Sequence, residues 1–315
     1  MDKLAVIALG GNAITRNDQK GSILEQEINV KETLKNILFL IKDDYKLIIT
    51  HGNGPQVGNI LMRNDAGEQL YKITQMPLDI CVADSQGGIG YLIERVLRNL
   101  LKEEGIKKDV LTLVTQVIVD KKDPAFKNPS KRIGKSYTKE ESENLAKKKG
   151  WIFKETPKQP GYYRRVVPSP VPKSIFNRES IRKMALHGSI IIAVGGGGIP
   201  VYRDEDGSLK GIEAVIDKDM ASSLLAQRIE ADELYILTDV PYIYLDYKKP
   251  TQRIAEFLTV EQAKNYLKQG QFSEGSMAPK IRASIEFVEK GGKKAIITEA
   301  TKLSDKKYGS KITKQ

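Results

Sequence analysis

The sequence contains one cysteine, Cys81, and only two histidines, His51 and His187. A single cysteine excludes an internal disulfide framework, and so few cysteines and histidines argue against a zinc site built from their side chains. Any metal that takes part is therefore expected to be a hard cation bound by oxygen atoms. Long apolar runs are missing as well, since none approaches the roughly 20 residues that a membrane-spanning helix needs.

The first apolar run, residues 4–9, is also too short for the core of a signal peptide. The 315 residues are 40% hydrophobic and 29% charged, which is typical of a soluble globular chain. We therefore expect a cytoplasmic protein with no membrane partner.

Basic residues outnumber acidic residues by 51 to 40, and the formal net charge of +11 favours anionic partners. Nucleic acid is one such partner. However, the lysines are mostly interleaved with acidic residues, as on solvated helix faces, and no nucleic-acid-binding motif is found. A lysine-rich surface is the simpler interpretation, so nucleic acid is not an expected partner.

Glycines are concentrated where three predicted buried strands end. Apolar strands without polar alternation are typical of a parallel sheet covered on both faces. Glycine leaves the backbone N–H groups open to an anion such as phosphate. A tight turn would explain any one of these loops, but their recurrence favours phosphate binding. The three junctions are residues 4–9 with Gly10-Gly11-Asn12, residues 46–50 with Gly52-Asn53-Gly54, and residues 189–194 with the glycines at 195–198.

Two familiar nucleotide-binding motifs do not fit this chain. Gly134-Lys135-Ser136 matches the end of a Walker A motif, but Pro129 stands where that motif needs glycine. The glycines at 195–198 would place the third glycine of a dinucleotide fingerprint at Pro200. Neither site is therefore expected.

The remaining apolar pattern predicts helices and strands around these loops. Helical spacing is found over residues 25–42 and 92–101, and a strand is predicted over 110–119. Gly87, Gly88 and Gly90 directly precede the second helical run and would be costly inside a helix. They imply close packing against another helix, the sheet or a second subunit. If a second subunit covers them, a symmetric dimer is the usual arrangement.

Residues 120–167 differ from the rest of the chain, because they are polar, basic and rich in turn residues but still carry aromatic side chains. We predict one domain over residues 1–315 with a small protruding lid subdomain at 120–167. Lys131, beside the turn at Asn128-Pro129, is the candidate for a cation that the lid delivers to a substrate. The alternative is an ordinary surface lysine.

Charged residues cluster at two predicted helix starts. In Asp217-Lys218-Asp219, the first aspartate can hold Mg²⁺ or orient lysines, Lys218 can contact phosphate, and Asp219 can cap the helix. Lys280 follows Pro279 in another first turn, where a cation is unfavourable unless an anion binds. Glycine loops, lysines and Mg²⁺ together suit phosphoryl transfer.

His51 precedes the second glycine loop and has two interpretations. It could act as a general base, but the sequence supplies no carboxylate to orient it. A structural neighbour of the loop, held by a hydrogen bond, is the favoured interpretation.

Eight motifs in the same order resemble those of the carbamate kinases, members of the amino acid kinase family. The resemblance covers essentially the whole chain. The motifs are 8–12, 50–58, 115–117, 123–129 with Lys131, 166–170, 195–198, 213–219 and 275–280.

The resemblance implies an α/β fold, a three-layer αβα sandwich with a mainly parallel open central sheet and a protruding lid. It implies a homodimer that interconverts MgATP and carbamate with MgADP and carbamoyl phosphate. The physiological direction implied is ATP synthesis at the end of arginine or ureide breakdown. Mg²⁺ is expected to be held mainly by the nucleotide phosphates.

The resemblance also implies roles for individual residues. Lys131, Lys218, Asp217 and Lys280 are the implied catalytic residues, with Asp217 orienting the lysines. The implied substrate and phosphate-binding residues are Gly10, Gly11, Asn12, Gly52, Asn53, Gly54, Gly196 and Gly197. The implied nucleotide-binding residues are Lys218, Thr238, Asp239, Tyr244, Ser276, Met277, Pro279 and Lys280.

The sequence departs from the carbamate kinase pattern in the predicted lid, at residues 156–165 and at Lys135. Two alternatives therefore remain open. One is a kinase of the same fold that acts on another small carboxylate or carbamate-like acid. The other is a protein without turnover that senses a nucleotide or carbamoyl phosphate.

Overall fold

The computed structural model describes residues 3–16, 18–156, 159–305 and 308–315. The strands in these residues are β1 (Leu4–Leu9), β2 (Lys46–His51), β3 (Val110–Thr112), β4 (Gln116–Ile118), β5 (Lys131–Thr138), β6 (Ile152–Thr156), β7 (Gln159–Val167), β8 (Ser174–Ile175), β9 (Ile190–Ile192), β10 (Ile199–Arg203), β11 (Leu209–Gly211), β12 (Glu233–Thr238), β13 (Ile243–Leu245), β14 (Arg253–Ala255), β15 (Phe257–Thr259), β16 (Lys294–Glu299) and β17 (Ser310–Thr313). The helices are α1 (Ile23–Lys35), α2 (Leu38–Lys42), α3 (Gly54–Tyr71), α4 (Leu78–Glu103), α5 (Lys139–Lys149), α6 (Arg178–Leu186), α7 (Lys218–Arg228), α8 (Val260–Lys268) and α9 (Met277–Glu289).

The central sheet has the strand order β15-β17-β16-β12-β1-β2-β9-β3. Its neighbouring strands are parallel except for β16 and β17. The strands β1, β2 and β12 are almost entirely buried, because helices cover both faces of the sheet. The predicted α/β sandwich with a mainly parallel open sheet is confirmed.

The alternation of side chains along β1 shows how the three layers form. Ala5, Ile7 and Leu9 point to one face and pack with α1, α2 and α4. Leu4 and Val6 point to the other face and pack with α6, α7, α8 and α9. Each fully buried leucine or isoleucine contributes about 1.5–3 kcal/mol relative to exposure, so both helix layers are held firmly on the sheet.

Smaller sheets lie outside the central one. Strands β11, β10, β4 and β8 form a four-stranded sheet, and β13 and β14 form a two-stranded one. Strands β5, β7 and β6 form an antiparallel sheet that, with α5, accounts for the described residues between 131 and 167. Among the described residues, no helix is long and apolar enough to cross a membrane.

The predicted strand over 110–119 is wrong as a single element. It is two strands, β3 in the central sheet and β4 in the four-stranded sheet. The chain leaves the first sheet where Gln86 of α4 binds the backbone of Thr115. The Gln86 side chain accepts from the Thr115 N–H at 2.7 Å and donates to its carbonyl at 3.1 Å. The Gln86 side chain thereby takes the Thr115 N–H, while the Thr115 carbonyl also accepts from the Ile199 N–H of β10 at 2.9 Å.

The predicted helix over 25–42 is likewise two helices, α1 and α2. The break at Asn36 and Ile37 redirects the chain, and Ile37, Leu40 and Ile41 are all buried after it. The basic C-terminal tail, which carries no clear pattern in the sequence, contributes β17 as an antiparallel neighbour of β16.

Candidate active site

The buried strands β1, β2, β9 and β12 of the central sheet end at the same edge, and the residues that follow them form the floor of a cleft. A cavity of about 360 Å³ lies there between the glycine loops, the start of α7, the start of α9 and the start of β5. Fifteen of the predicted site residues line it. They are Gly10, Gly11, Asn12, Gly52, Asn53, Gly54, Lys131, Gly196, Asp217, Lys218, Thr238, Asp239, Ser276, Pro279 and Lys280.

The loop after β1 lies close to the neighbouring strand because Gly10 has no side chain. A Cβ atom there would come within 2.5 Å of the Leu237 carbonyl oxygen of β12. The next residue, Gly11, has no atom within 4 Å of such a position and faces open space. Gly11 begins a short 3-10 turn that ends at Ala13. The loop therefore packs tightly on one side and leaves its other side free for a ligand.

The glycines at 195–198 pack closely against other residues of the protein rather than facing open space. Gly196 has φ +64° and lies against the Asn53 side chain, and a Cβ atom at Gly197 would meet the Ile216 carbonyl oxygen at 2.5 Å. Gly196 lines the cavity, whereas Gly197 is buried beside it and is not among the lining residues. The run thus allows the loop to pack closely against Asn53 and Ile216.

Three lysines and two aspartates form the charged centre of the cleft. Lys131 Nζ donates to Asp217 Oδ2 at 3.0 Å. Asp219 accepts from two lysines, from Lys218 Nζ at 2.5 Å and from Lys280 Nζ at 2.7 Å. These five residues come from three separate parts of the chain, β5, α7 and α9, and leave one net positive charge in the cleft.

The prediction that Asp219 caps α7 is wrong. Asp217 is the N-cap of α7, and its Oδ1 accepts from the N–H groups of Asp219 and Met220 at 2.9 and 3.3 Å. Asp219 is instead almost fully buried and binds the two lysines. This role of Asp219 is not predicted from the sequence, although the alternating charges of residues 217–219 are a signal for it.

The ionisation of the cluster follows from burial and from the ion pairs. Burial acts to raise the pKa of Asp219, but Lys218 and Lys280 outweigh it and lower that pKa. Burial lowers the pKa of Lys218 in spite of Asp219. For Lys280 the attraction of Asp219 exceeds the effect of burial, so its pKa is raised. Burial and Lys131 oppose each other at Asp217, where Lys131 prevails and the pKa is lowered.

His51 is a structural residue in this geometry. It is buried, its Nδ1 lies 2.9 Å from the Gly52 carbonyl oxygen, and its ring edge packs against Gly195. Burial is the main cause that lowers its pKa to about 4. No carboxylate is among its hydrogen-bond partners in the described residues. The interpretation as a neighbour of the loop is therefore supported over that as a base.

Asn53 is also held in place from behind. Its Nδ2 donates to Ser85 Oγ of α4 at 2.9 Å, and Ser85 Oγ in turn donates to the Val82 carbonyl at 2.6 Å. Asn53 ends the second glycine loop, directly before α3. A buried chain of hydrogen bonds thus orients the side chain that faces the cavity.

A second cavity, of about 610 Å³, adjoins the first. The two share Thr238, Asp239, Ser276 and Lys280. The predicted nucleotide residues that are absent from the first cavity, Tyr244 and Met277, line the second. Tyr247 lines it too, and its ring lies 6.0 Å from that of Tyr244. Aromatic and apolar side chains therefore lie beside the lysine cluster, in a space large enough for a nucleoside.

The residues around the cleft do not themselves make a metal centre. Across residues 3–16, 18–156, 159–305 and 308–315, no group of three or more His, Cys, Asp or Glu side chains could hold a metal ion. Two of the three aspartates that line the cleft, Asp217 and Asp219, are paired with lysines, and the third, Asp239, accepts a hydrogen bond from Thr238 Oγ1. The donor set therefore suits an anionic ligand rather than a resident cation.

Comparison with known proteins decides the family. The sequence profile of the amino acid kinase family matches residues 3–299. The chain belongs to the amino acid kinase family. Its relatives in the family include a carbamate kinase of Pyrococcus horikoshii, which is 47% identical over 99% of this chain and 100% of that protein. A carbamate kinase of Pyrococcus furiosus is 48% identical over 96% of this chain and 95% of that protein.

Solved structures of the amino acid kinase family show the same architecture. Carbamate kinase from Giardia lamblia bound to AMP-PNP matches with a TM-score of 0.91 and 40% identity, over 100% of this chain and 99% of that chain. The ligand in that structure is an ATP analogue.

The segment that departs from the carbamate kinase pattern is described in part. Pro157 and Lys158 lie outside the described residues, and the following residues form β7. In β7, Arg164 Nη2 donates to the Gly134 carbonyl of β5 at 2.7 Å, and the Arg165 guanidinium lies 4.2 Å from the centre of the Trp151 ring. The unusual segment is thus packed against β5, which carries Lys131.

Proposed function

We propose that the protein is a carbamate kinase, which transfers a phosphoryl group reversibly between ATP and carbamate. The observation that carries the proposal is the cluster of Lys131, Lys218 and Lys280 between two glycine loops and a cavity of nucleoside size. The carbamate kinase relatives, similar to this chain over nearly its full length, support the choice of substrate.

The reaction needs positioning and positive charge more than a nucleophilic side chain. In the direction of ATP synthesis, an oxygen of the ADP β-phosphate attacks the phosphorus of carbamoyl phosphate. A bond forms between that oxygen and phosphorus, and the bond from phosphorus to the carbamate oxygen breaks. Negative charge spreads over the transferred group, where fixed cations stabilise it.

The chain's own residues supply these requirements. The loops at 10–12 and 52–54 line the cavity, and glycine loops of this kind suit the carbamate and the transferred phosphoryl group. Lys131 and Lys218 are placed to flank that group, and Lys280 to bind the nucleotide phosphates. Asp217 and Asp219 hold the lysines in place before the substrates arrive.

Mg²⁺ is assigned to the substrate rather than to the protein. Because Asp217 and Asp219 already bind lysines, the ion would enter on the phosphates of the nucleotide and neutralise part of their charge. We infer that the physiological direction is ATP synthesis, since carbamoyl phosphate is a mixed anhydride and a strong phosphoryl donor.

The test is ATP formation from ADP, Mg²⁺ and carbamoyl phosphate by the purified protein, measured in a coupled assay. Asp217→Asn is the control because asparagine can still cap α7 while it no longer balances the charge of Lys131. Turnover that Asp217→Asn reduces strongly would support the proposal. If the wild-type protein binds ADP without turnover, a different acid or a sensing role takes its place.

We also propose that two copies of the chain form a dimer through α4. Gly87 and Gly88 lie in the middle of this helix, and a Cβ atom at either would meet nothing within 4 Å. Tyr91 on the next turn is 64% exposed, and Ile80 is 42% exposed. Glycine costs about 1 kcal/mol in a helix, which a close crossing with a second helix would offset. A helix face that exposes two glycines, Ile80 and Tyr91 beside a single carboxylate, Asp84, suits a symmetric partner.

Light scattering coupled to gel filtration tests the dimer. Gly88→Leu improves the helix propensity and its Cβ atom has open space around it within the protomer, so we expect a folded monomer. Glu261→Leu on α8 adds the same side chain far from α4 and should leave the dimer intact. A monomeric wild-type protein, or a Gly88→Leu variant that still forms dimers, would contradict the proposed interface.

A further inference from the structure

Two glycines from different elements meet where β5 lies on α3. A Cβ atom added at Gly58, in the second turn of α3, would come within 2.7 Å of Gly134 Cα and 2.9 Å of Gly134 N. Real Cβ atoms essentially never come closer than 3.0 Å to another heavy atom. Both neighbours are backbone atoms, so they cannot yield as a flexible side chain would. This contact therefore sets how closely β5 approaches the helix.

Gly134 lies in an irregular stretch of β5. The pairing with β7 shifts between Ile133 and Tyr137, so three residues of β5 lie opposite Arg164 alone. Gly134 has φ +69°, a conformation that favours glycine. Arg164 Nη2 donates to the Gly134 carbonyl at 2.7 Å. Gly58 and Arg164 thus hold the bulge from two sides.

The bulge is close along the chain to the cation of the cleft. Ile133, next to Gly134, is 2% exposed and packs in a cluster with Val57, the neighbour of Gly58. Two residues before Ile133, Lys131 reaches Asp217. A connection of only three residues, anchored by the buried side chain of Ile133, therefore runs from the glycine contact to the lysine.

We propose that Gly58, Gly134 and Arg164 are positioning residues that place Lys131 over Asp217. Helix α3 begins at the loop of residues 52–54 and also contacts β5, the strand that carries Lys131. One helix therefore positions both the loop and Lys131. The inference rests on the proposed kinase activity for its kinetic consequence, whereas its geometric consequence is independent of activity.

Gly58→Ala is the first test, with Gly67→Ala as its matched control. Both substitutions add one methyl group to α3, but the nearest atom at Gly67 is Ile73 Cβ at 3.9 Å, an ordinary contact. At Gly58 the strand must move by about 0.7 Å to restore contact at 3.4 Å. A misplacement of about 1 Å can cost 10²-fold in rate. We expect kcat to fall by at least tenfold in Gly58→Ala, with the KM for ADP nearly unchanged, and neither value to change in Gly67→Ala.

A double-mutant cycle with Lys131→Ala shows whether the effect acts through that lysine. If it does, Gly58→Ala costs little further activity when Lys131 is already absent. An equal fold-loss in both backgrounds, or a Gly58→Ala kcat within twofold of the control, would overturn the proposal. Arg164→Met can be combined with Lys131→Ala in the same way, and it adds no methyl group to α3. If Gly58→Ala does not fold, the Arg164→Met cycle tests the positioning role instead.

Chemical labelling separates this inference from the proposed activity. The rate at which acetic anhydride modifies Lys131, followed by mass spectrometry, should rise in Gly58→Ala and in Arg164→Met because the pair with Asp217 is loosened. Lys218, paired with Asp219, serves as the internal reference. An unchanged Lys131 rate in both variants would refute the positioning role even if the wild-type protein had no carbamate kinase activity.

Discussion

Replacing Asp219 by asparagine removes the one carboxylate that binds two lysines in the cleft. The side chain of Asp219 is only 5% exposed, and the side chains of Lys218 and Lys280 are each 14% exposed. The substitution keeps the shape of the side chain but leaves two buried ammonium groups without their shared partner. The cleft then carries two net positive charges instead of one.

The expected cost is large, since breaking a buried ion pair from one side typically costs 3–5 kcal/mol. Asp217→Asn offers the matched comparison. Its partner Lys131 is 35% exposed and hence screened by water, and asparagine caps a helix about as well as aspartate does. We expect Asp217→Asn to cost less than about 1 kcal/mol and Asp219→Asn about 3 kcal/mol or more.

Urea unfolding at pH 7, followed by circular dichroism, measures both variants. A difference between them of less than about 1 kcal/mol would refute the view that Asp219 is the structural centre of the lysine cluster. Coupled ATP formation measures the second consequence, for which we expect kcat of Asp219→Asn to fall by about 10²-fold because two cations lose their placement.

The pH dependence provides a further check on Asp219. Its pKa is lowered in the folded protein, so the stability it contributes is present above the unfolded value of about 3.9 and is lost as the pH falls through the folded value. The difference in unfolding free energy between wild type and Asp219→Asn should therefore be constant from about pH 5 to 8 and shrink below about pH 4.

Two other predictions concern Lys131 and His51. Lys131→Ala should lower kcat by about 10²-fold, because it removes a cation placed to stabilise the transferred group, and a kcat within a factor of two of wild type would refute that role. For His51, the folded pKa of about 4 lies below the ordinary value of 6.5. The stability that the neutral ring contributes is thus present above pH 6.5 and lost as the pH falls towards 4. Relative to His51→Gln, wild type should lose about 3 kcal/mol of unfolding free energy between these pH values, measured by urea unfolding, and parallel curves would contradict the burial argument.

Much of the fold and of the cleft followed from local patterns. The strands β1, β2 and β12 were predictable because a strand buried on both faces must be apolar throughout, and each carries such a run. The loops after β1, β2 and β9 were predictable as parts of one cleft because parallel strands end at the same edge of a sheet. Local chemistry sufficed for these elements.

Other features depended on contacts between distant residues. The division of residues 110–119 into two strands falls beside Thr115, whose backbone binds Gln86, 29 residues earlier in the chain, and no local pattern signals this contact. Asp217 rather than Asp219 caps α7, and Asp219 instead binds Lys280, which is 61 residues away along the chain. Charged neighbours compete for the same partners, and only their positions in space decide between them.

The sequence by itself determined the layered α/β sheet, the glycine loops and the set of lysines and aspartates that suits phosphoryl transfer. Hydrophobic periodicity, the residue types in turns and the charge of side chains are all local properties of the chain. The tertiary structure alone decided which aspartate holds which lysine, how β5 rests on α3 at Gly58, and that α4 leaves Gly87 and Gly88 exposed. Ion pairing and close packing depend on distances between residues far apart in sequence, and folding is what sets those distances.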